Sequence, residues 1–166
     1  MKKLAELNIT TDRLRLIPLK LSDAEKLHEL SNHREITDKV DILSTPFTVN
    51  DAKKLLSYES DRDECFFGIS LKEDSTFVAV MGAHFYGGKS IEIGYWVHPG
   101  HKRRGFVSEA LNHLTASLHH HYPDCIIMAE CRPENIPSFS LLKKCGFIPT
   151  GKPGNRPGRQ ILIWQE

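Results

Sequence analysis

The sequence predicts an α+β domain with a mostly antiparallel sheet of about seven strands, flanked by about four helices. Three observations predict this class. Short alternating or apolar segments typical of strands recur along the chain, and longer segments with helical apolar spacing separate them. The pair Gly87–Gly88 joins two strand segments as a two-residue hairpin turn. The 166 residues contain no repeat or interior linker, so we expect one domain over residues 1–166.

The N-terminal part is predicted to hold one strand and two helices. Residues 13–19 alternate charged and apolar side chains, as a strand with one wet face does. Ser22 with Glu25 three residues later predicts a capping box, and Thr48 with Asp51 predicts a second one. The stretch 32–47 between these helices is polar and irregular, and in an enzyme such a flap could line a substrate site.

The remaining elements follow a strand-rich order. Strands are predicted over three segments before the central helix, namely 65–71, 76–86 and 90–97. The helix, over 103–121, has apolar residues at four-residue spacing and connects strand 90–97 to strand 125–131 as a crossover. A short helix closed by Gly146 follows, and two final strands are predicted to pair across the turn 151–158.

Charge and hydropathy exclude several classes of protein. Lys plus Arg number 22 and Asp plus Glu number 21, so a nucleic-acid binder that relies on bulk positive charge is disfavoured. No apolar run approaches the ~20 residues of a membrane span, and the N-terminus has no apolar signal region. We therefore expect a cytoplasmic protein with no membrane partner and no direct nucleic-acid binding, either a monomer or a homodimer.

Cysteine and histidine usage predicts neither disulfides nor a metal site. The four cysteines form no CxxC pair, which is typical of reduced thiols in a cytosolic domain. His119, His120 and His121 are consecutive and cannot share one helix face, and they suit the exposed carbonyls at a helix end. We therefore expect no metal.

The strongest local signal is a basic triplet at the start of the central helix. Lys102, Arg103 and Arg104 precede Gly105 in the first turn. A helix N-terminus presents unpaired amides and a positive dipole end, and glycine lets a pyrophosphate approach the backbone. The pattern predicts a phosphate site, with a solvated basic surface as the alternative.

Three motifs resemble the GCN5-related N-acetyltransferases (GNAT), in particular their RimJ/RimL-like ribosomal-protein N-terminal acetyltransferase branch. They are TTDRLRLIPLKLSDAEKLHEL, IEIGYWVHPGHKRRGFVSEAL and ENIPSFSLLKKCGF, which occur in the family's order and cover nearly the whole chain. The resemblance implies a GNAT-like domain with a splayed pair of parallel strands, here 90–97 and 125–131. It also implies direct acetyl transfer from acetyl-CoA to an amine, with no metal.

The resemblance also implies where acetyl-CoA binds. The pantetheine arm would pair with backbone around Trp96 and Val97, in the manner of an added strand. The pyrophosphate would bind the helix start, and Asn135 would face the thiol end. The expected cofactor-binding residues are Trp96, Val97, Lys102, Arg103, Arg104, Gly105, Phe106, Val107, Ser108 and Asn135.

Two positions depart from the family's pyrophosphate loop, Q/R-x-x-G-x-G/A. Lys102 replaces Gln or Arg and can still attract phosphate. Val107 replaces the usual Gly or Ala, and its two methyls predict weaker acetyl-CoA binding. Many relatives also carry a tyrosine in the second helix as an acid, whereas Leu142 lies in that region here.

The chemistry requires a base for the attacking amine and a proton for the leaving thiolate. Glu92 matches the family's strand glutamate and is the candidate base; alternatively it is a polar-face residue paired with a neighbouring cation. Ser138 is the candidate acid, or else a serine that caps helix amides. A cysteine nucleophile at Cys131 or Cys145 is disfavoured because no histidine is spaced to activate it.

The leading hypothesis is an acetyl-CoA-dependent N-acetyltransferase whose acceptor is a protein N-terminal amine. A small amine such as a polyamine, amino acid or antibiotic is the alternative acceptor. A catalytically silent acyl-CoA-binding module is the alternative from another class, favoured by Val107 and by the missing tyrosine. His84 and Tyr86 are candidates to line the acceptor pocket.

Overall fold

The computed structural model describes residues 3–57 and 63–166, and its centre is one eight-stranded sheet. The strands are β1 (Ile9–Thr10), β2 (Leu14–Pro18), β3 (Glu64–Leu71), β4 (Phe77–Tyr86), β5 (Ser90–Val97), β6 (Ile126–Cys131), β7 (Phe147–Pro153) and β8 (Gln160–Trp164). The helices are α1 (Ala24–Ser31), α2 (Arg34–Thr37), α3 (Val49–Leu56), α4 (Phe106–His121) and α5 (Ile136–Lys144).

The strands lie in the order β1-β2-β3-β4-β5-β6-β8-β7. Every neighbouring pair is antiparallel except β5 and β6, which are parallel and connected through α4. The predicted α+β class with a mostly antiparallel sheet and four main helices is therefore confirmed. The eighth strand is β1, whose two residues are too few to carry a readable alternation.

Two apolar clusters cover the two faces of the sheet. Helices α4 and α5 pack on one face, where Leu111, Leu114 and Phe147 are fully buried against strand residues such as Ile91 and Ile93. Helices α1 and α3 pack on the other face around Leu27, Phe47 and Trp96. Alternation along β5 sends Ile91 and Ile93 to the α4 face and Trp96 to the α1 face.

Two predicted helix boundaries are confirmed in atomic detail. At the start of α3, Thr48 Oγ1 accepts from the Asp51 amide at 3.1 Å, and Asp51 Oδ2 accepts from the Thr48 amide at 2.9 Å. At the end of α5, Gly146 has a φ of +93°, which is the left-handed conformation that suits glycine after a helix. The final pair, β7 and β8, is also antiparallel as predicted.

The expected start of α1 is wrong. A 3-10 turn over Leu21–Asp23 precedes the helix, and the carboxylate of Asp23 accepts from the Lys20 amide at 2.8 Å. Ser22 therefore does not begin the helix with Glu25 as its partner. Asp23, next to the predicted cap, instead binds an unpaired backbone amide at the start of the 3-10 turn.

Three further boundaries differ from expectation. The central helix begins at Phe106 rather than at residue 103, because Arg103 (φ +62°) and Gly105 (φ +77°) are left-handed. The hairpin between β4 and β5 contains three residues, 87–89, between the paired Tyr86 and Ser90. The stretch 32–47, expected to be irregular, contains the single-turn helix α2. It also buries side chains in the apolar cluster on the sheet face covered by α1 and α3.

Candidate active site

Strands β5 and β6 separate after a short stretch of parallel pairing. The register begins at Ser90↔Ile126 and stops at Glu92↔Met128, although β5 continues to Val97 and β6 to Cys131. The implied splayed pair is therefore present. Beyond Glu92 the facing backbone edges have no strand partner, so they can accept an extended ligand by strand addition.

A basic segment lies beside this gap, at the N-terminus of α4. We call residues 98–105 the cofactor loop. Lys102, Arg103 and Arg104 are exposed, and Gly105 is the N-cap residue of α4. Because Gly105 has no side chain, it cannot cap the first helical amides, which remain available to an anion.

Arg13, which the sequence analysis did not assign to the site, reaches this loop from the start of β2. Its guanidinium donates to the Arg104 carbonyl oxygen at 2.9 Å and lies 4.7 Å from the centre of the Phe106 ring. A Cβ added at Gly105 would lie 3.4 Å from the same guanidinium. The loop thus has a further cation from a distant segment, and only the three-dimensional contact reveals it.

Three predicted cofactor-binding residues have side chains directed away from the gap. Phe106 and Val107 are buried in the α4 cluster, and Trp96 is buried on the other face, where its indole N–H donates to Ser31 Oγ at 2.8 Å. Any contact of these three with a cofactor runs through the backbone. The methyl groups of Val107 pack into the core and do not project into the loop, which removes the physical basis for the expected obstruction.

Segment 32–47 contacts the cofactor loop at two points. The ammonium of Lys102 donates to Glu35 Oε2 at 2.8 Å. The rings of His33 and His98 lie edge to face with centroids 4.8 Å apart. This segment therefore borders the cofactor loop and binds Lys102, one of the residues predicted to contact phosphate. That it lines a substrate site stays a prediction.

A pair of hydroxyl groups lies on the α4 side of the gap. Tyr95 Oη and Ser138 Oγ are 2.8 Å apart and joined by a hydrogen bond. Burial raises the pKa of Tyr95 above its ordinary value, so this phenol stays protonated at neutral pH. The hydroxyl of Ser138 is thus engaged with a phenol rather than in capping α5, whose N-cap residue is Asn135.

The sequence analysis did not assign Tyr95 a part in proton transfer, and the structure places its phenol on Ser138. No tyrosine follows Asn135, but Tyr95 supplies a phenol from the facing strand. Its position in β5 on the same face as Ile93 was readable from alternation, whereas its contact with a helix 43 residues away was not.

The carboxylate of Glu92 lies on the opposite face, at the last position where β5 pairs with β6. It forms an ion pair with the guanidinium of Arg156, which also lies 3.3 Å from Glu130 Oε2. Burial raises the pKa of Glu92, Arg156 opposes that rise and the charge of Glu130 adds to it. The predicted alternative, a strand glutamate paired with a cation, therefore describes the contacts, and its role as a base stays a prediction.

Two other predicted groups surround this carboxylate. His84 is exposed and pairs across β4 and β5 with Glu92, and its ring lies next to that of Tyr86. Of the two candidates for the acceptor pocket, His84 thus adjoins the candidate base and Tyr86 adjoins His84.

The four cysteines, all among the described residues, form no disulfide, and burial raises the pKa of Cys131 and of Cys145. A raised thiol pKa disfavours the thiolate that a covalent mechanism needs. Among residues 3–57 and 63–166, no cluster of three or more His, Cys, Asp or Glu side chains could hold a metal ion. In the same described residues no helix is long and apolar enough to span a membrane.

Comparison with known proteins identifies related sequences and folds. The family model for the acetyltransferase (GNAT) domain matches residues 13–148. The uncharacterized N-acetyltransferase p20 of Bacillus licheniformis is 32% identical over 154 residues, covering 85% of this chain and 82% of that protein.

Two solved structures share the fold. One is the RimL ribosomal L7/L12 alpha-N-protein acetyltransferase in complex with coenzyme A, with a TM-score of 0.79, 16% identity and coverage of 95% of this chain and 97% of that chain. The other is the microcin C7 self-immunity acetyltransferase MccE in complex with acetyl-CoA and AMP, with a TM-score of 0.76, 20% identity and coverage of 92% of both chains.

Proposed function

Because the chain belongs to the GNAT acetyltransferase family, we propose that this acetyl-CoA-dependent N-acetyltransferase modifies the free α-amino group of a protein N-terminus, as RimJ/RimL-like enzymes do. The acceptor must be neutral to attack. An α-amino group, with an ordinary pKa of ~7.7–8.0, loses its proton at far lower cost than a lysine at ~10.4. The shared fold of the RimL acetyltransferase supports this acceptor class.

The observation that carries the proposal is the division of proton-handling groups between the two faces of the gap. Glu92 and Tyr95 lie three residues apart on β5 and face opposite sides of the sheet. A base is needed where the amine attacks, and a proton donor is needed where the thiolate leaves. This arrangement provides the base, Glu92, on one side and the proton donor, Tyr95 with Ser138, on the other.

Each residue then has a defined task. The cofactor loop and the α4 amides hold the phosphates of acetyl-CoA. The edge of β5 that faces β6 beyond Glu92 holds the extended arm of the cofactor. Glu92 takes the proton that the attacking amine loses, directly or through a water molecule. The hydroxyl pair of Tyr95 and Ser138 donates a proton to the departing thiolate and takes a proton back from solvent.

A small cationic amine is the second candidate acceptor. The two carboxylates of Glu92 and Glu130 outnumber the single guanidinium of Arg156 between them. The remaining negative charge suits a polyamine, whose second ammonium could bind there.

A catalytically silent module is the third candidate, and the ion pair on Glu92 favours it. A carboxylate engaged by a guanidinium is a weaker proton acceptor than a free one. Only turnover separates this candidate from the other two.

The reaction is proposed to take place in the cytoplasm. None of the four cysteines, all among the described residues, is in a disulfide, which is typical of a reducing compartment. Acetyl-CoA is also made and consumed inside cells.

The first experiment is calorimetric titration of acetyl-CoA and CoA into the wild-type protein, Gly105→Glu and Gly87→Glu. Both glycines have positive φ (+77° and +64°), so both variants carry similar backbone strain, but only one adds a carboxylate at the α4 N-terminus. We expect binding to be lost in Gly105→Glu and kept in Gly87→Glu. Equal binding by all three proteins would contradict the assigned phosphate site.

The second experiment measures release of the CoA thiol with three acceptor sets. These are peptides with free N-termini, the same peptides with blocked N-termini and an internal lysine, and polyamines. We expect turnover only with the first set. Preference for polyamines would show that the acceptor is a small amine. Tight acetyl-CoA binding without any turnover would show that the protein is a silent binding module.

A further inference from the structure

Glu130 is the only charged residue among the buried side chains of the described residues. Its side chain is 1% exposed, and its carboxylate accepts from the backbone N–H of Arg156 at 3.1 Å and from the guanidinium of the same residue at 3.3 Å. A Cβ added at Gly154 would overlap Glu130 Oε1, so only glycine fits at that point. The β7–β8 connection is therefore closely fitted around one buried carboxylate.

The same connection is tied at a second point. The guanidinium of Arg159 donates to Asp41 Oδ2 at 2.8 Å. The backbone carbonyl oxygen of Arg159 accepts from the Gly154 amide at 2.7 Å. The backbone of Arg156 is thus held between two anchors. Its guanidinium reaches Glu92 from a defined position, unlike that of a long side chain on a free surface.

The charges around Glu92 come from three elements. His84 lies on β4, Glu130 lies on β6, and Arg156 lies in the β7–β8 connection. The side chain of Glu64 lies 3.9 Å from His84 and adds another negative charge nearby. Without Arg156, two carboxylates would share a largely buried site, and such a pair tends to hold a proton.

Resting on the proposed role of Glu92 as base, we propose that Arg156, anchored by Glu130, is a positioning residue that keeps the Glu92 carboxylate charged and directed at the gap between β5 and β6. The guanidinium binds Oε1 of Glu92, which leaves Oε2 to take the proton of the acceptor. Glu130 holds Arg156 in place and does not contact substrate.

The opposite role for Arg156 is a blocking one, in which the guanidinium occupies the place of the acceptor amine. The two roles predict opposite kinetics. Removing a positioning residue protonates Glu92 and slows the enzyme on the acid side, whereas removing a blocker speeds the enzyme at every pH.

The experiment follows Glu92 and turnover separately in Arg156→Gln, Arg156→Lys, Glu130→Gln and the control Arg132→Gln, which removes an exposed cation. Carboxyl carbons labelled with ¹³C report the titration of Glu92, assigned by loss of its signal in Glu92→Gln. The second readout is the pH profile of kcat/KM for the acceptor. Thermal melts and the Kd for acetyl-CoA establish that each variant is folded.

We expect Arg156→Gln to move the Glu92 titration to higher pH, because the charged form loses its partner. The acid side of the kcat/KM profile should move with it, lowering kcat/KM there about tenfold for each unit of that movement. Arg156→Lys should restore part of the loss, and Arg132→Gln should change neither readout. Glu130→Gln removes a like charge and should not move the titration upward as Arg156→Gln does.

Two results would overturn this inference. One is an unmoved Glu92 titration in Arg156→Gln, and the other is a higher kcat/KM in that variant across the whole pH range. If Arg156→Gln does not fold, Arg156→Met, which also removes the charge, carries the same comparison. Failure of the proposed function is distinguished separately, because it appears either as absence of turnover in the wild-type protein or as full turnover in Glu92→Gln, whatever the titration does.

Discussion

The two ends of the site are built in different ways. The cofactor loop is one contiguous segment with three exposed cations and a glycine N-cap, and the phosphate-binding groups proposed for it are mainly backbone amides. The carboxylate network consists of Glu92, Glu130 and Arg156, which come from β5, β6 and the β7–β8 connection. A loop that binds through its backbone tolerates side-chain change, whereas a network of buried charges does not.

The largest effect should follow from Glu92→Gln in the carboxylate network. We expect kcat/KM to fall by about 10²–10⁴, which is the usual contribution of a general base. The Kd for acetyl-CoA should stay unchanged, because the cofactor loop is separate. Glu25→Gln, on an exposed part of α1, is the control. A Glu92→Gln enzyme with wild-type kcat would show that a water or another group removes the proton.

The second effect concerns Glu109, a carboxylate beside the cofactor loop, and its contribution to the free energy of unfolding. Glu109 in α4 accepts from Thr11 Oγ1 at 2.5 Å, from the Arg13 amide at 3.0 Å and from Arg13 Nε at 2.7 Å. Glu109→Gln should lower the free energy of unfolding by about 2 kcal/mol, since hydrogen bonds to a charged group are lost. Glu25→Gln, on an exposed part of α1, should change it little.

The pH dependence of this effect has a defined sign. Burial raises the pKa of Glu109, but the bonds from Thr11 and Arg13 outweigh it and leave the pKa below its ordinary value. Its stabilising contribution is therefore full above the unfolded pKa, ~4.3, and is lost as the pH falls through the folded value. Denaturant melts from pH 7 to pH 3 should converge for wild type and Glu109→Gln. Parallel curves would contradict this assignment.

The third effect concerns the hydroxyl pair. Ser138→Ala and Tyr95→Phe should each reduce kcat about 10- to 100-fold. The double variant should lose little more than either single one, because the two hydroxyls act as one hydrogen-bonded unit. Ser140→Ala, exposed on the same helix, is the control. Additive losses in single-turnover measurements would show two independent roles.

The fourth effect sharpens the contrast between side chain and backbone at the cofactor end. Val107→Ala should lower the free energy of unfolding by about 1–2 kcal/mol, because two methyl-sized groups leave the core. Its Kd for acetyl-CoA should change less than about threefold, if only the backbone amide faces the phosphate. Tenfold tighter binding in calorimetry would instead mean that the side chain obstructs the loop.

The smallest effect comes from the exposed pair Glu35 and Lys102. Glu35→Gln releases the Lys102 ammonium, so acetyl-CoA should bind about two- to threefold more tightly at low salt. Lys102→Gln should weaken binding by a similar factor. Both differences should fade at high salt, and a salt-independent effect of Glu35→Gln would point to a packing change instead of a charge effect.

Much of the fold was predictable from local patterns. The capping box at Thr48 and the glycine at position 146 depend on contacts within one helical turn, and both predictions are confirmed. The start of α1 was mispredicted because two residues, Ser22 and Asp23, could each satisfy a nearby amide. Local energetics do not separate such close alternatives.

The sequence by itself determined the α+β class, the strand and helix order and the motifs of the family, because alternation, turns and caps depend on neighbouring residues. It also marked Glu92, Ser138 and the cofactor loop as candidates. Only the tertiary structure decided their partners. Tyr95 meets Ser138 across 43 positions, and Arg156 meets Glu92 across 64. Such contacts depend on how strands and helices pack, which no local pattern encodes, and they decide which charges are buried together.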